Sequence, residues 1–275
     1  MKLSPRYEAP PIITMDGSPD DQLAPVVRQR QRLAKTLAGL NDREWSAPTR
    51  CEGWTVQDVV SHLISVNGFW QMSTMAGLAG EPTRILENFD PAATPPLLVA
   101  PMRALAPSEV LDQFVASNDG YLDVLGALDS DGWATLAESP PGHLPVRLLA
   151  AHALWDSWVH ERDIALPLGF TPPEEDDEVI SSLRYAAALS PAFAVMNGDA
   201  IAGEFAVEAT DPYLHFVVEV GDSAGVRDGS LPAGAPCLRG DAVHLVEALS
   251  IRAPLPDSTP TEWRQLLGGL EAAFT

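Results

Sequence analysis

The sequence predicts an α+β protein, with a helical first part running to about residue 172 and a smaller α/β part after it. Three observations carry this. Apolar residues between Asp21 and Leu166 recur at helical spacing in four stretches. Beyond residue 200 the texture changes to GEFAVEAT and YLHFVVEVGD, which alternate or run apolar like strands, with GD, DG and AG turns between them. A length of 275 residues fits one large or two ordinary domains. The expected division is an extended, proline-rich leader (1–20), a helical domain (21–172) and an α+β domain (173–275).

The leader carries prolines at 5, 10, 11 and 19, and each removes a backbone N–H and disfavours helix in the residue before it. A first helix follows from Asp21 to about Asn41, with Leu23, Val26, Val27, Leu33, Leu37 and Leu40 near one face. The second spans Thr55 to Ala79, entered through the turn CEGW with Thr55 as N-cap. Prolines 82, 91, 95, 96 and 101 then impose a long irregular connection. The third starts near Ser108, another N-cap candidate, and the fourth runs from Val146 to about Leu166, where PLG stops it. An amphipathic helix at 174–189 precedes the strands, and the tail adds CLRGD, a short helix AVHLVEALSIR and a last helix TEWRQLLGGLEAAF.

Hydrophobic residues make up 46% and charged residues 20%, so a folded core is expected. The balance of 17 basic against 38 acidic side chains gives −21, and only Lys2 and Lys35 are lysines. Nucleic-acid binding and peripheral membrane anchoring are thereby excluded, because each needs a basic face. Cys51 and Cys237 belong to no CxxC, which removes a disulfide framework and a thiolate zinc knuckle and fits a reducing cytoplasm. The leader lacks a signal core of ~7–15 apolar residues, and no apolar run approaches the ~18 needed to span a bilayer. A cytoplasmic protein acting on small molecules is expected.

The fourth helix, LLAAHALWDSWVHERDIALPLG, carries the chemistry. At about 100° per residue, His152, Asp156, His160 and Asp163 fall in a sector of about 80°. Leu148, Leu154, Trp155 and Trp158 cover other sides, so the helix has no simple solvent face. Ionisable groups on such a helix are costly unless paired or ligating, and Asp156 and His160 are spaced to aim a carboxylate and an imidazole at one ion. A DxxxH pair is also common as a helix-end salt bridge. On the second helix His62 points away from the apolar stripe Val56, Val59, Val60, Leu63, Ile64 and Trp70, beside Asp58, Val66 and Phe69. His62, Asp156 and His160 together would supply three N/O ligands from two helices and leave a position open, the catalytic pattern for zinc or a similar divalent ion. Cys51 has Glu52 beside it, which disfavours a nucleophilic thiolate. Trp54, Trp70, Trp155 and Trp158 read as core.

The stretch REWSAPTRCEGWTVQDVVSHLISV resembles the signature of the mycothiol-dependent maleylpyruvate isomerase family, among the DinB-like metal-binding bundles, and LWDSWVHERDIALPLG resembles its second signature. The tail from GEFAVEA to SIR is similar, more weakly, to a sterol-carrier-like domain. The resemblance implies an up-and-down four-helix bundle with a divalent metal, Zn2+ by its ligands, held by His62, Asp156 and His160 at a cleft shared with the second domain. The family's acid is usually Glu where this chain has Asp156, and His152, one turn earlier, is an alternative ligand or an outer partner. Asp163 is either the acceptor for a ligating histidine's outer N–H or a helix-end charge. Arg252, in SIR, matches an arginine implied to bind thiol or substrate.

The function these pieces predict is a metal-dependent enzyme using a low-molecular-weight thiol, mycothiol, as nucleophile against an electrophilic substrate. S-transfer in a natural-product (antibiotic) pathway is the leading form, and cis–trans isomerisation of a maleyl group is the alternative. A non-catalytic protein holding a metal and an apolar ligand is the reading from another class.

Overall fold

The computed structural model describes residues 3–16, 22–268 and 270. Strand β1 (Ile13–Met15) lies within the predicted leader and is followed by α1 (Leu23–Ala38) and the single turn α2 (Asp42–Trp45). Helix α3 (Val56–Leu78) starts at Thr55, whose hydroxyl accepts from Asp58 N while the Asp58 carboxylate takes Thr55 N, a reciprocal cap. The connection after it is less irregular than its prolines suggest, because Pro95 and Pro96 sit in the first turn of the short α4 (Thr94–Val99), where a missing N–H costs nothing. Helix α5 (Pro107–Gly126) begins two residues earlier than Ser108 as N-cap would give: Ala106 is the N-cap and Pro107 the first helical residue, so Ser108 is inside the helix.

The single turn α6 (Ser130–Ala134) leads into an antiparallel hairpin, β2 (Leu136–Ser139) and β3 (Gly142–Pro145), that the sequence reading missed. Two glycines admit it. A Cβ at Gly77 of α3 would meet Leu136 O at 2.3 Å, and one at Gly142 would meet Arg6 O at 1.9 Å. Helix α7 (Val146–Ala165) ends close to its predicted limit. Helix α8 (Asp176–Asn197) runs eight residues past the predicted end, straight through Pro191, and stops at Gly198 with φ 78°. Tertiary burial overrides the local breaker, since nearly every residue from Val179 to Ala194 is buried. Its apolar window, of mean hydropathy 1.4, is long enough to cross a membrane, which corrects the expectation that no such run exists, but 83% of that window is buried inside the protein.

The remaining elements are β4 (Gly203–Thr210), β5 (Leu214–Val220), β6 (Ala224–Arg227), β7 (Cys237–Asp241), α9 (Ala242–Leu249) and α10 (Thr261–Leu267). The end of the last predicted helix, residues 271–275, lies outside the described residues. The five-stranded sheet has the order β1-β6-β5-β4-β7, with β1 parallel to β6, β7 parallel to β4, and the inner pairs antiparallel. The extended segment at the N-terminus is therefore an edge strand of the sheet formed by the other end of the chain.

Helices α1, α3, α5 and α7 form a bundle whose neighbours are α1–α5, α5–α3, α3–α7 and α7–α1, so α1 and α3 lie diagonally. Two clusters, around Trp70, Tyr121 and Leu149 and around Leu33, Val60 and Phe114, fill it. A third joins α7, α8, the sheet and α9 through Leu148, Trp155, Trp158, Leu183, Phe205 and Phe216. Helix α7 belongs to both halves, which is why it lacks a solvent face.

Candidate metal centre

The centre lies where the first third of α3, the second half of α7 and the turn after α9 converge. His62, Asp156 and His160 are brought together, each offering a ligand atom within 4.8 Å of the others. The His62 and His160 rings meet edge to face with centroids 5.1 Å apart, and Trp54, from the CEGW turn, packs its ring 5.5 Å from His62. His160 Nε2 stands 3.6 Å from Asp156 Oδ1. The side chains of His160 and Asp156 keep 12% and 16% of their surface, enough to be reached by a small molecule while mostly shielded. Asp156 Oδ2 is buried and accepts no hydrogen bond among the described residues. A buried carboxylate oxygen without a donor is costly, and a cation is the partner that this donor set fits.

The other side of His160 is saturated. Its Nδ1 lies 3.0 Å from Asp163 Oδ2. Asp163 is fully buried and takes Arg50 Nε at 3.0 Å and Arg252 through Nε and Nη2 at 2.9 and 2.8 Å. Burial would raise the Asp163 pKa, but His160 and Arg252 hold it well below the usual carboxylate range. Cys51 Sγ donates to the same carboxylate at 3.2 Å and is 3.7 Å from His160 Nδ1 and from Arg252 Nη2. Its surroundings are thus His160, Asp163 and Arg252 rather than the neighbouring Glu52. Cys51, His160 and Asp163 also lie close enough for an ion. Two guanidiniums already neutralise Asp163 and would repel a cation, so the first group is the stronger candidate.

Burial pulls His62 down to about 4, with the Asp156 charge opposing only in part. For His160 burial also lowers the pKa, but the Asp163 hydrogen bond, the Cys51 contact and the Asp156 charge outweigh it and push it up to about 10. His62 is therefore neutral and ready to ligate at neutral pH, whereas His160 must give up a proton to do so.

His152 is in neither group. Its Nδ1 pairs with Tyr185 OH at 2.8 Å, and its ring is enclosed by Trp70, Trp155 and Tyr185. Burial pulls it down to about 4. Arg252 lies behind the cluster with its donors engaged on Asp163, Ser250 O and Cys51. It is turned there by Ile251, a β-branched residue at φ 55°, while Trp155 Nε1 ties Ser250 Oγ at 2.8 Å. Sequence reasoning missed Arg50, which bonds both Asp163 and Glu247 Oε1, the latter also gripped by Arg162 at 2.9 Å. The only signal was its position in the TRCEGW stretch.

Comparisons with known proteins agree with this architecture. The profile of the family described as mycothiol maleylpyruvate isomerase N-terminal domain matches residues 26–165. No curated protein sequence matches the chain significantly. Among solved structures, the crystal structure of a mycothiol-dependent maleylpyruvate isomerase superposes with a TM-score of 0.61 at 13% identity, over 84% of this chain and 88% of that one. A histidine-to-alanine mutant of a mycothiol-dependent maleylpyruvate isomerase superposes with a TM-score of 0.60 over the same shares, again at 13% identity.

Proposed function

The chain belongs to the mycothiol maleylpyruvate isomerase N-terminal domain family, and on that premise we propose that it is a metal-dependent enzyme whose nucleophile is a small thiol, mycothiol. The observation that carries this is the convergence of His62, Asp156 and His160 around a buried carboxylate oxygen that no other described residue satisfies. These three side chains would hold the ion. A divalent ion, zinc by the donor set, supplies Lewis acidity that makes a thiol acidic enough to be present as thiolate at neutral pH.

The protein's own groups have separable tasks. Asp163 accepts from His160 Nδ1 and leaves Nε2 as the ligating nitrogen, which fixes the ring and raises its basicity. Arg252 and Arg50 hold Asp163, so in this reading Arg252 is a positioning residue whose guanidinium forms the rear wall. Trp54 covers His62 and excludes water from one side. No protein cysteine need act as nucleophile, because the thiol arrives as co-substrate.

The reaction we favour is transfer of the thiol sulfur to an electrophilic carbon. The second reading, cis–trans isomerisation by thiol addition, bond rotation and elimination, is supported by the family's description. Incubating the zinc-loaded protein with mycothiol separates them. A stable S-conjugate with one of a panel of electrophiles supports transfer, and conversion of maleylpyruvate with thiol regenerated supports isomerisation. Neither product from a protein with full metal content would leave only the non-catalytic binding reading.

A further inference from the structure

Inside the helical bundle is a cation that pairs with no carboxylate among the described residues. Arg30, on α1, is 2% exposed. Its Nη2 donates to Asn67 Oδ1 at 3.2 Å and to Ala153 O at 3.3 Å. Its Nε and Nη1 are buried and donate to nothing among the described residues. The neighbouring arginines of α1 behave differently: Arg28 and Arg32 both pair with Glu178, and Arg32 also with Glu161. An arginine keeps its proton in any ordinary surroundings, so the cost of burying this one is not relieved by neutralisation.

The groups around Arg30 have the same character. Its guanidinium lies 5.4 Å from the centroid of the Tyr121 ring, and Tyr121 OH, fully buried, has no partner among the described residues. Trp70 Nε1, one turn along α3 from Asn67, is likewise buried and unpaired. Asn67 itself is fixed, since its amide donates to Asn118 Oδ1 at 2.8 Å. The carboxylate whose charge Arg30 feels is Asp156, one turn from Ala153 on α7. With Asp156 committed to an ion, the interior carries net positive charge. A groove of about 180 Å³ between α1 and α5 is lined by Arg30 and Asn118 and gives an approach to this side of the guanidinium; Asp119 also lines it, whereas Tyr121 lies deeper and does not.

We propose that Arg30 and Tyr121 form an anion-binding subsite inside the bundle that takes a carboxylate group, one helical turn from the candidate metal centre. The site would accept the charged end of a ligand whose other end faces Asp156. Its link to catalysis rests on the proposed function, but its existence does not, since Arg30 Nε and Nη1 and the Tyr121 hydroxyl have no partner among the described residues whether or not an ion is bound.

The test uses the full-length, metal-free protein titrated with sodium succinate at constant ionic strength, followed by tryptophan fluorescence and melting temperature. Saturable binding is expected, and Trp70, in the same core cluster as Tyr121, would report it. Arg30→Met should weaken it about tenfold or more, the loss expected for a hydrogen bond to a charged group. Tyr121→Phe, which removes one hydroxyl and keeps the ring, should weaken it severalfold and decides the matter if Arg30→Met does not fold. His62→Ala should bind succinate as the wild type does, so failure of the metal reading leaves this result standing. The proposal is overturned if the wild type shows no saturable binding, or if both Arg30→Met and Tyr121→Phe bind succinate unchanged, which would mean that water satisfies these groups.

Discussion

Glu138 and Asp156 are two shielded carboxylates of the helical half, and the protein treats them in opposite ways. Glu138, in β2, is fully buried, and its two oxygens take Tyr7 OH, Thr83 Oγ1, Ile85 N and Leu86 N at 2.6 to 2.8 Å. Every donor is neutral and every lone pair has a use, so the carboxylate binds the N-terminal segment and the 83–86 loop to the hairpin. Asp156 has one oxygen 3.6 Å from a histidine and the other without a donor. A saturated buried carboxylate serves as a structural latch, whereas an unsaturated one beside two histidines is, in the function proposed above, where an ion would be held.

The comparison can be broken most sharply at His62. His62→Ala should leave the fold intact and abolish both bound metal and turnover, a loss of several kcal/mol in transition-state stabilisation or about 10³-fold in rate. A variant with normal metal content and rate would remove the site. At the latch the effect should fall on stability. Glu138→Ala strands four donors and should cost about 3 kcal/mol or more in chemical denaturation, with metal content per folded molecule unchanged. Loss of metal from that variant would mean that the two carboxylates are not independent.

A smaller effect is expected behind His160. Asp163→Asn removes the carboxylate that accepts from Nδ1, and metal affinity, measured by competition with a chelator, should fall about 10–100-fold. Unchanged affinity would reduce Asp163 to a salt-bridge residue. An effect of a different kind is the change in stability of the metal-free protein with pH. His62, pulled down to about 4 from 6.5, favours the unfolded state as pH falls through that window. His160, pushed up to about 10, contributes stability that is fully present below 6.5 and is lost as pH rises through 10. Stability should therefore peak near pH 6.5, and a flat profile between 4 and 10 would show that neither shift is real.

The bundle helices were legible because each carries a periodic apolar face, and Thr55 and the stop after Leu166 marked two of their ends. What was not legible was long-range. Nothing in a three-residue stretch between prolines announces that Ile13–Met15 pairs with a strand more than 200 residues away. The hairpin at 136–145 was hidden because four-residue strands beside PPG read as the approach to a helix. In the site, spacing placed Asp156 and His160 on one stripe, His62 stood out as a histidine turned away from the apolar face of its own helix, and the resemblance reinforced the three. Asp163's clamps, Arg50 and Arg252, come from loops far along the chain, and no local pattern joins them. His152 shares the stripe yet is turned to Tyr185 by an aromatic enclosure that only the folded chain supplies.

That last contrast gives the most direct test of the central claim, that His62, Asp156 and His160 hold a divalent ion. The measurement is bound metal in purified Asp156→Ala, Asp156→Glu and His152→Ala beside the wild type. The account predicts about one equivalent in the wild type and in His152→Ala, retention with an altered rate in Asp156→Glu, and loss of most metal in Asp156→Ala. Metal kept by Asp156→Ala and lost by His152→Ala would contradict it and move the ligand one turn back along α7.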